Sequence, residues 1–210
     1  MTEDIFEYWM DLAKQLAERF STSEIGNIWT WENFGQDILT LKNRFGVGDK
    51  HIDVLGLRLI FDIGQSYDLL NDKQVNTDRL VPYLYYYSKA HDRGIAGDWV
   101  NFSNLSGALA YRQFFDKKDL ESLRINYTEH KDRVLHIIRT LGGKQAGHGD
   151  ASFIISFLPK VKVLLIFQDA DDEFPTSVRL LYDKNSVYYQ PIEMLTSIST
   201  MIAHRVEEHI

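Results

Sequence analysis

Two short stretches concentrate side chains capable of chemistry. Leu141-Gly142-Gly143-Lys144-Gln145-Ala146-Gly147-His148-Gly149-Asp150 is the most glycine-dense part of the chain and ends on His148 and Asp150. Glycines let a backbone approach a ligand closely, and a histidine beside an aspartate is a polar pair suited to ligand contact or proton transfer. The acidic run Gln168-Asp169-Ala170-Asp171-Asp172-Glu173-Phe174-Pro175 offers alternating carboxylates that suit a hard cation or a general base. It lacks the glycine and distal glutamate of a calcium loop. Each stretch also has a plainer reading. Gly142 caps the preceding helix and the later glycines ease entry into a strand, while the acidic run is a water-exposed hairpin connection with Phe174 turned back into the core. A hydrolase built on Asp150, Asp172, Glu173 and His148 requires the two loops to meet.

Other motifs fail on chemistry or geometry. Lys144 is followed by Gln145, so the phosphate-loop pattern is absent, and Gly46-Val47-Gly48 lacks the third glycine of a dinucleotide fingerprint. No GxSxG or HExxH occurs. His204 and His209 lie about 140° apart on a helix, and His130 and His136 about 240° apart, so neither pair shares a face. No metal site is therefore expected, and the segment around His204 reads as a solvated end. Tyr83, Tyr85, Tyr86, Tyr87, Trp99, Phe102, Tyr111, Phe114 and Phe115 crowd one third of the chain. They suit either the lining of a pocket for a flat apolar ligand or core packing.

The elements that must position these groups follow from periodicity. Asp4–Phe20 reads as an amphipathic helix, with Ile5, Tyr8, Trp9, Leu12, Leu16 and Phe20 at helical spacing. Ile28–Trp31 and Asp37–Leu41 read as short strands joined at Asn33-Phe34-Gly35, and Arg58–Ile63 as a strand turned back at Gly64-Gln65-Ser66. Asn76-Thr77-Asp78 resembles a helix cap leading to about Ala90, with Pro82 requiring a later start or a kink. Trp99–Phe102 is a short strand. Asp116–Glu121 and Thr128–Leu141 read as helices, followed by strands Ala151–Phe157, Val161–Gln168 and Ser177–Tyr182 and a closing helix Pro191–Glu208. Strands gather in runs instead of alternating with helices. The pattern predicts an α+β fold, one domain over residues 1–210, with mostly antiparallel sheet, a strand-rich N-terminal part, central helices, a three-strand meander and a C-terminal helix.

Composition narrows the function classes. The 210 residues contain no cysteine, which excludes disulfides, thiolate nucleophiles and cysteine-ligated clusters. Net charge is −7 and the basic residues are scattered, so a nucleic-acid surface is not expected. Met1–Met10 is acidic and aromatic, unlike a signal peptide, and the longest apolar run, Val161 to Phe167, is far short of the roughly 20 residues that cross a bilayer. These features predict a cytoplasmic protein without membrane contact.

Several motifs, taken in order, resemble an uncharacterised prokaryotic family, domain of unknown function 3786, found in bacteria and archaea, many of them anaerobes. They are Gly97-Asp98-Trp99-Val100-Asn101-Phe102, Leu105-Ser106-Gly107, Tyr111 to Phe115, Leu141-Gly142-Gly143 and Gly149-Asp150-Ala151-Ser152-Phe153. Leu158-Pro159-Lys160-Val161, Asp171-Asp172-Glu173-Phe174-Pro175 and Leu180-Leu181-Tyr182-Asp183 complete the set, so the likeness spans about 75–205. Ala170 and Ala108 stand where the family usually has glycine, which argues against a role needing a left-handed backbone there. The resemblance implies no known activity. Some relatives carry an iron–sulfur domain related to those of corrinoid proteins, which implies an accessory role in anaerobic cofactor or one-carbon metabolism. On that reading a small-molecule or tetrapyrrole-type ligand meets Trp99, Tyr111 and Arg112, with His148 and Asp150 as polar contacts, and an iron–sulfur or corrinoid protein is the partner. No cofactor is specified. A protein-interaction subunit and a carboxylate- and histidine-dependent hydrolase (the latter using Asp172 and Glu173) are the alternatives.

Overall fold

The computed structural model describes residues 5–20, 28–111 and 117–210. Helix α1 (Ile5–Arg19) buries Ile5, Trp9 and Leu16 along one face, and the Trp9 indole donates to Val187 O at 2.9 Å. Helix α2 (Trp31–Leu39) stands where two short strands, Ile28–Trp31 and Asp37–Leu41, were expected to join at Asn33-Phe34-Gly35. Phe34, Ile38 and Leu41 recur at helical spacing and are fully buried, and Thr30 caps the first turn by accepting from Asn33 N at 3.3 Å. Burial of that one face overrides the β preference of the individual residues.

A four-stranded antiparallel meander follows: β1 (His51–Val54), β2 (Leu57–Ile60), β3 (Gln65–Asp68) and β4 (Lys73–Val75), in that spatial order. Leu55 and Gly56 join β1 to β2 with φ of 50° and 74°, the left-handed pair that a two-residue hairpin requires. A short 3₁₀ turn (Asp78–Leu80) leads into α3 (Val81–Ser88), so Pro82 lies in the first turn and the later start is the one adopted. Tyr83, Tyr85, Tyr86 and Tyr87 on α3 are all buried. Tyr83 meets Phe157 edge-on at 4.9 Å, and Tyr87 OH both donates to Phe45 O and accepts from Lys160 N. The tyrosine run is core. Burial drives the Tyr86 phenol up to about 12 and Tyr87 higher still.

The second sheet is also antiparallel, in the order β5-β9-β8-β7-β6, with β5 (Trp99–Asn101), β6 (Lys144–Gln145), β7 (Ala151–Leu158), β8 (Val161–Gln168) and β9 (Ser177–Asp183). The expected three-strand meander is β7-β8-β9. Central strand β8 is buried at six of its eight positions, as its near-continuous apolar run demands. Two expected helices are joined in α4 (Lys117–Thr140), which breaks its helical geometry only at His130. Leu123 and Tyr127 are buried before that point and Val134, Ile137 and Ile138 after it. The six residues between Tyr127 and Val134 are polar and exposed, so no core contact holds that turn in register. The closing helix is divided at Ser197 into α5 (Ile192–Thr196) and α6 (Ile198–Glu207). Its end is not simply solvated. Arg205 is 3% exposed and is held by Asp68, Glu208 and Leu55 O. No helix among the described residues is long and apolar enough to cross a membrane.

Candidate functional site

The glycine-rich loop and the acidic turn meet. Asp150 Oδ2 accepts from Asp169 N at 2.8 Å, and Asp150 N donates to Phe167 O at 3.1 Å, closing the open end of the β7–β8 hairpin. Gly149, at φ +57°, lets this closure form, because a Cβ there would stand 2.7 Å from Phe167 O. His148 N donates to Ser152 Oγ at 2.9 Å, and the His148 and Asp150 side chains are exposed. Asp169 accepts from Tyr127 OH at 2.9 Å and pairs with Lys131, whose hydrogen bond holds the Asp169 carboxyl below its ordinary range. Asp171 accepts from Glu173 N at 2.9 Å and Phe174 N at 2.7 Å. The carboxylates of Asp150, Asp169 and Asp171 thus hold backbone or neighbouring side chains, while Asp172 and Glu173 face water. Phe174 is 65% exposed, contrary to its expected return to the core, because the Asp171-centred turn directs the chain outward.

The other candidates lie elsewhere. Trp99 is half-buried on edge strand β5, paired with Asp183. The sheet order puts it about 14 Å across and about 17 Å along the strands from the β7 entry, taking standard spacings. Tyr111 is half-buried at the end of a 3₁₀ turn (Ala108–Tyr111), and burial, with the nearby Glu193 charge, raises its phenol. Arg112 lies outside the described residues. Among the described residues no group of three or more potential ligands is placed to hold a metal ion.

Sequence reasoning passed over a cleft of about 460 Å³ where α2, the four-stranded sheet and the start of α3 come together. One wall is Trp31, whose indole Nε1 is 3.2 Å from where a Gly35 Cβ would stand, and any Cβ on Gly64 would overlap the ring. Two glycines from different elements therefore fix the indole in place. β3 and β4 supply Gln65, Ser66 and Gln74, and the turn between β4 and α3 supplies Asn76, Thr77 and Asp78. Ser66 and Thr77 are buried and their hydroxyls are hydrogen-bonded to each other. Asn76 Oδ1 accepts from Asp78 N at 2.7 Å and its amide nitrogen donates to Asp78 Oδ2 at 3.1 Å. Leu59, Val75 and Val81 complete an apolar floor. The legible signal was Asn76-Thr77-Asp78, taken only as a cap. Nothing in the sequence places Trp31 against it.

A second hollow of about 300 Å³ lies beside Arg205, bordered by Leu55, Arg79, Asp119, Met201 and His204. Glu193 on α5 lines a narrow crevice with Trp9, Ser106 and Val187, and burial raises its carboxyl above the ordinary glutamate range.

No curated protein and no solved structure matches the chain. The model of the family described as Domain of unknown function (DUF3786) matches residues 57–205, which include every residue of the cleft lining named above except Trp31. That match covers well over half of the chain, and the protein belongs to the DUF3786 family.

Proposed function

We propose that the protein is a cytoplasmic ligand-binding module, an accessory and not a catalyst, whose occupant sits in the cleft beside Trp31. The observation that carries this reading is the preformed cleft itself: a pinned indole above an apolar floor, ringed by amides and a buried hydroxyl pair. Small-molecule sites combine a mostly apolar hollow of about 300–1,000 Å³ with a few placed polar groups, and a wall that does not move on binding loses no ordering entropy. The test is native mass spectrometry with an absorbance spectrum on protein purified anaerobically, followed by amide-resolved NMR titration. The tetrapyrrole-type ligand implied by the family resemblance is included among the compounds. A one-to-one adduct that disappears in Gly64→Val supports the reading. Cleft amides left unmoved by every ligand mixture overturn it.

One observation favours a second reading, a protein-interaction subunit. Phe174 is exposed at the tip of a turn that is nevertheless ordered by Asp171, with Asp172 and Glu173 beside it. An aromatic anchor ringed by carboxylates suits a partner's apolar pocket rimmed by Lys and Arg, and an iron–sulfur or corrinoid protein is the partner to try first. Phe174→Ser is expected to leave the thermal midpoint unchanged and to abolish co-purification of that partner. Undiminished co-purification removes this reading.

A further inference from the structure

We propose that the occupant of the Trp31 cleft is a neutral saccharide, bound with the C–H face of one sugar ring against the indole. The inference rests on the ligand-binding reading above and names the class of ligand. Four features lead to it.

The Trp31 ring is half-buried and packs against Gly35 and Gly64, and no acceptor among the described residues takes its N–H. A fixed aromatic face with a free donor at its edge suits a ring that is apolar on one face and polar around its rim.

The polar groups around that face are the kinds that hydroxyls need. A sugar hydroxyl both donates and accepts, and so does each amide of Gln65, Gln74 and Asn76. The Ser66–Thr77 pair carries two hydroxyl protons, and the bond between them uses one, which leaves the other for an acceptor in the cleft.

Asp78 supplies one charged acceptor. Its Oδ2 takes the Asn76 amide, and Oδ1 has no partner among the described residues. A carboxylate oxygen accepting from an O–H makes one of the stronger hydrogen bonds available to an uncharged ligand.

The charge of the lining decides against the phosphorylated alternatives. Among the described residues lining the cleft none is Lys or Arg, and Asp78 is an acid. A sugar phosphate or nucleotide would bring its anion to a carboxylate with no cation to compensate. A free nucleoside also stacks on indole. However, the cleft's hydrogen-bonding side chains arrive from two strands and a turn, out of any single plane, whereas a planar base carries its polar atoms in one plane.

The test uses the full chain. Saturation-transfer NMR and isothermal titration are run against neutral mono- and disaccharides (glucose, galactose, xylose, maltose, cellobiose), glucose 6-phosphate and adenosine. The expected result is saturable binding of at least one neutral saccharide, with saturation passed to its ring C–H protons and shifts confined to amides around Gln65, Gln74 and Asn76. Glucose 6-phosphate should bind at least about tenfold more weakly than the preferred neutral sugar, since no cation meets its charge. Trp31→Ala should lose about tenfold or more in affinity, Trp31→Phe should keep most of it, and Gln74→Ala, on the exposed rim where folding is not at stake, should weaken binding several-fold. Adenosine or glucose 6-phosphate shifting the cleft amides while the neutral sugars do not would leave the ligand-binding reading standing and overturn this one. No compound of any class shifting them overturns both. Saccharide binding undiminished in both Trp31→Ala and Gln74→Ala also overturns the proposal.

Discussion

A guanidinium almost wholly out of water is the most demanding single group among the described residues. Arg205 donates through Nε to Leu55 O at 3.1 Å, through its two terminal nitrogens to Asp68 at 3.0 and 2.8 Å, and to Glu208 at 2.7 Å. Desolvating such an ion costs several kcal/mol, and only this full set of acceptors makes the burial tolerable. Burial opposes ionisation of Asp68, but the two Arg205 bonds and Leu70 N outweigh it and hold the carboxyl below its ordinary range. Asp68→Ala leaves the guanidinium buried and uncompensated. It should lower unfolding free energy by about 3–5 kcal/mol in urea titrations, whereas Asp68→Leu with Arg205→Met should recover most of that loss. An equal loss in the single and double variants would show that the pair is not the source. Sequence alone does not reveal this pair, because Asp68 and Arg205 are 137 positions apart and the terminal segment carries His204, Glu207, Glu208 and His209, which read together as solvated.

At the scale of elements, legibility tracked how far a segment's partners lie from it. β7, β8 and β9 pair with their chain neighbours and bury long apolar runs, so pattern alone located them. The β1–β2 hairpin was half-missed. His51-Ile52-Asp53-Val54 alternates, but its turn places Leu55 at φ 50°, a conformation seldom adopted by a bulky residue. That strain is offset by Leu55's burial and by the bond from Arg205 to its carbonyl, neither of which is local information. The candidate site divides in the same way. His148, Asp150, Asp172 and Glu173 share a site only if their two loops meet, which the sequence leaves open and the bond from Asp169 N to Asp150 establishes for the loops, while the Trp31 cleft joins residues from α2 and the β3–α3 region that no periodicity connects. Gly56 is the hairpin's weak point, at φ 74° with Leu70 directly over its Cα. Gly56→Ala should cost roughly 1–3 kcal/mol from left-handed strain and the clash, and should raise amide exchange across β1 and β2 more than across β7 and β8. Uniform acceleration of exchange would mean that the two sheets unfold as one unit.

Across the whole molecule, a buried and a half-buried carboxylate of opposite character make the dependence of stability on pH readable. Asp68 is depressed by its ion pair, so its contribution is present above the unfolded value of about 3.9 and is lost as pH falls through the folded one. Glu193 is raised by burial in the crevice beside Trp9, so its contribution is present below the unfolded value of about 4.3 and is lost as pH rises through the folded one. Asp37 shares Asp68's direction, since the Arg19 and Lys89 cations outweigh its desolvation, and Asp92 shares it through the bond from Tyr189 OH. The depressed group is therefore the larger, and unfolding free energy should fall steeply below about pH 4. The two variants should then give mirror-image difference curves in urea titrations at a series of pH values. Asp68→Asn should be most destabilising at neutral pH, with the deficit shrinking in acid as the wild-type carboxyl takes up its proton. Glu193→Gln, which keeps the shape of the protonated acid, should be more stable than wild type at neutral pH, and that gain should vanish below about pH 4. A Glu193→Gln difference that is flat across the range would mean the carboxyl is ionised alike in both states and that the crevice is open to water.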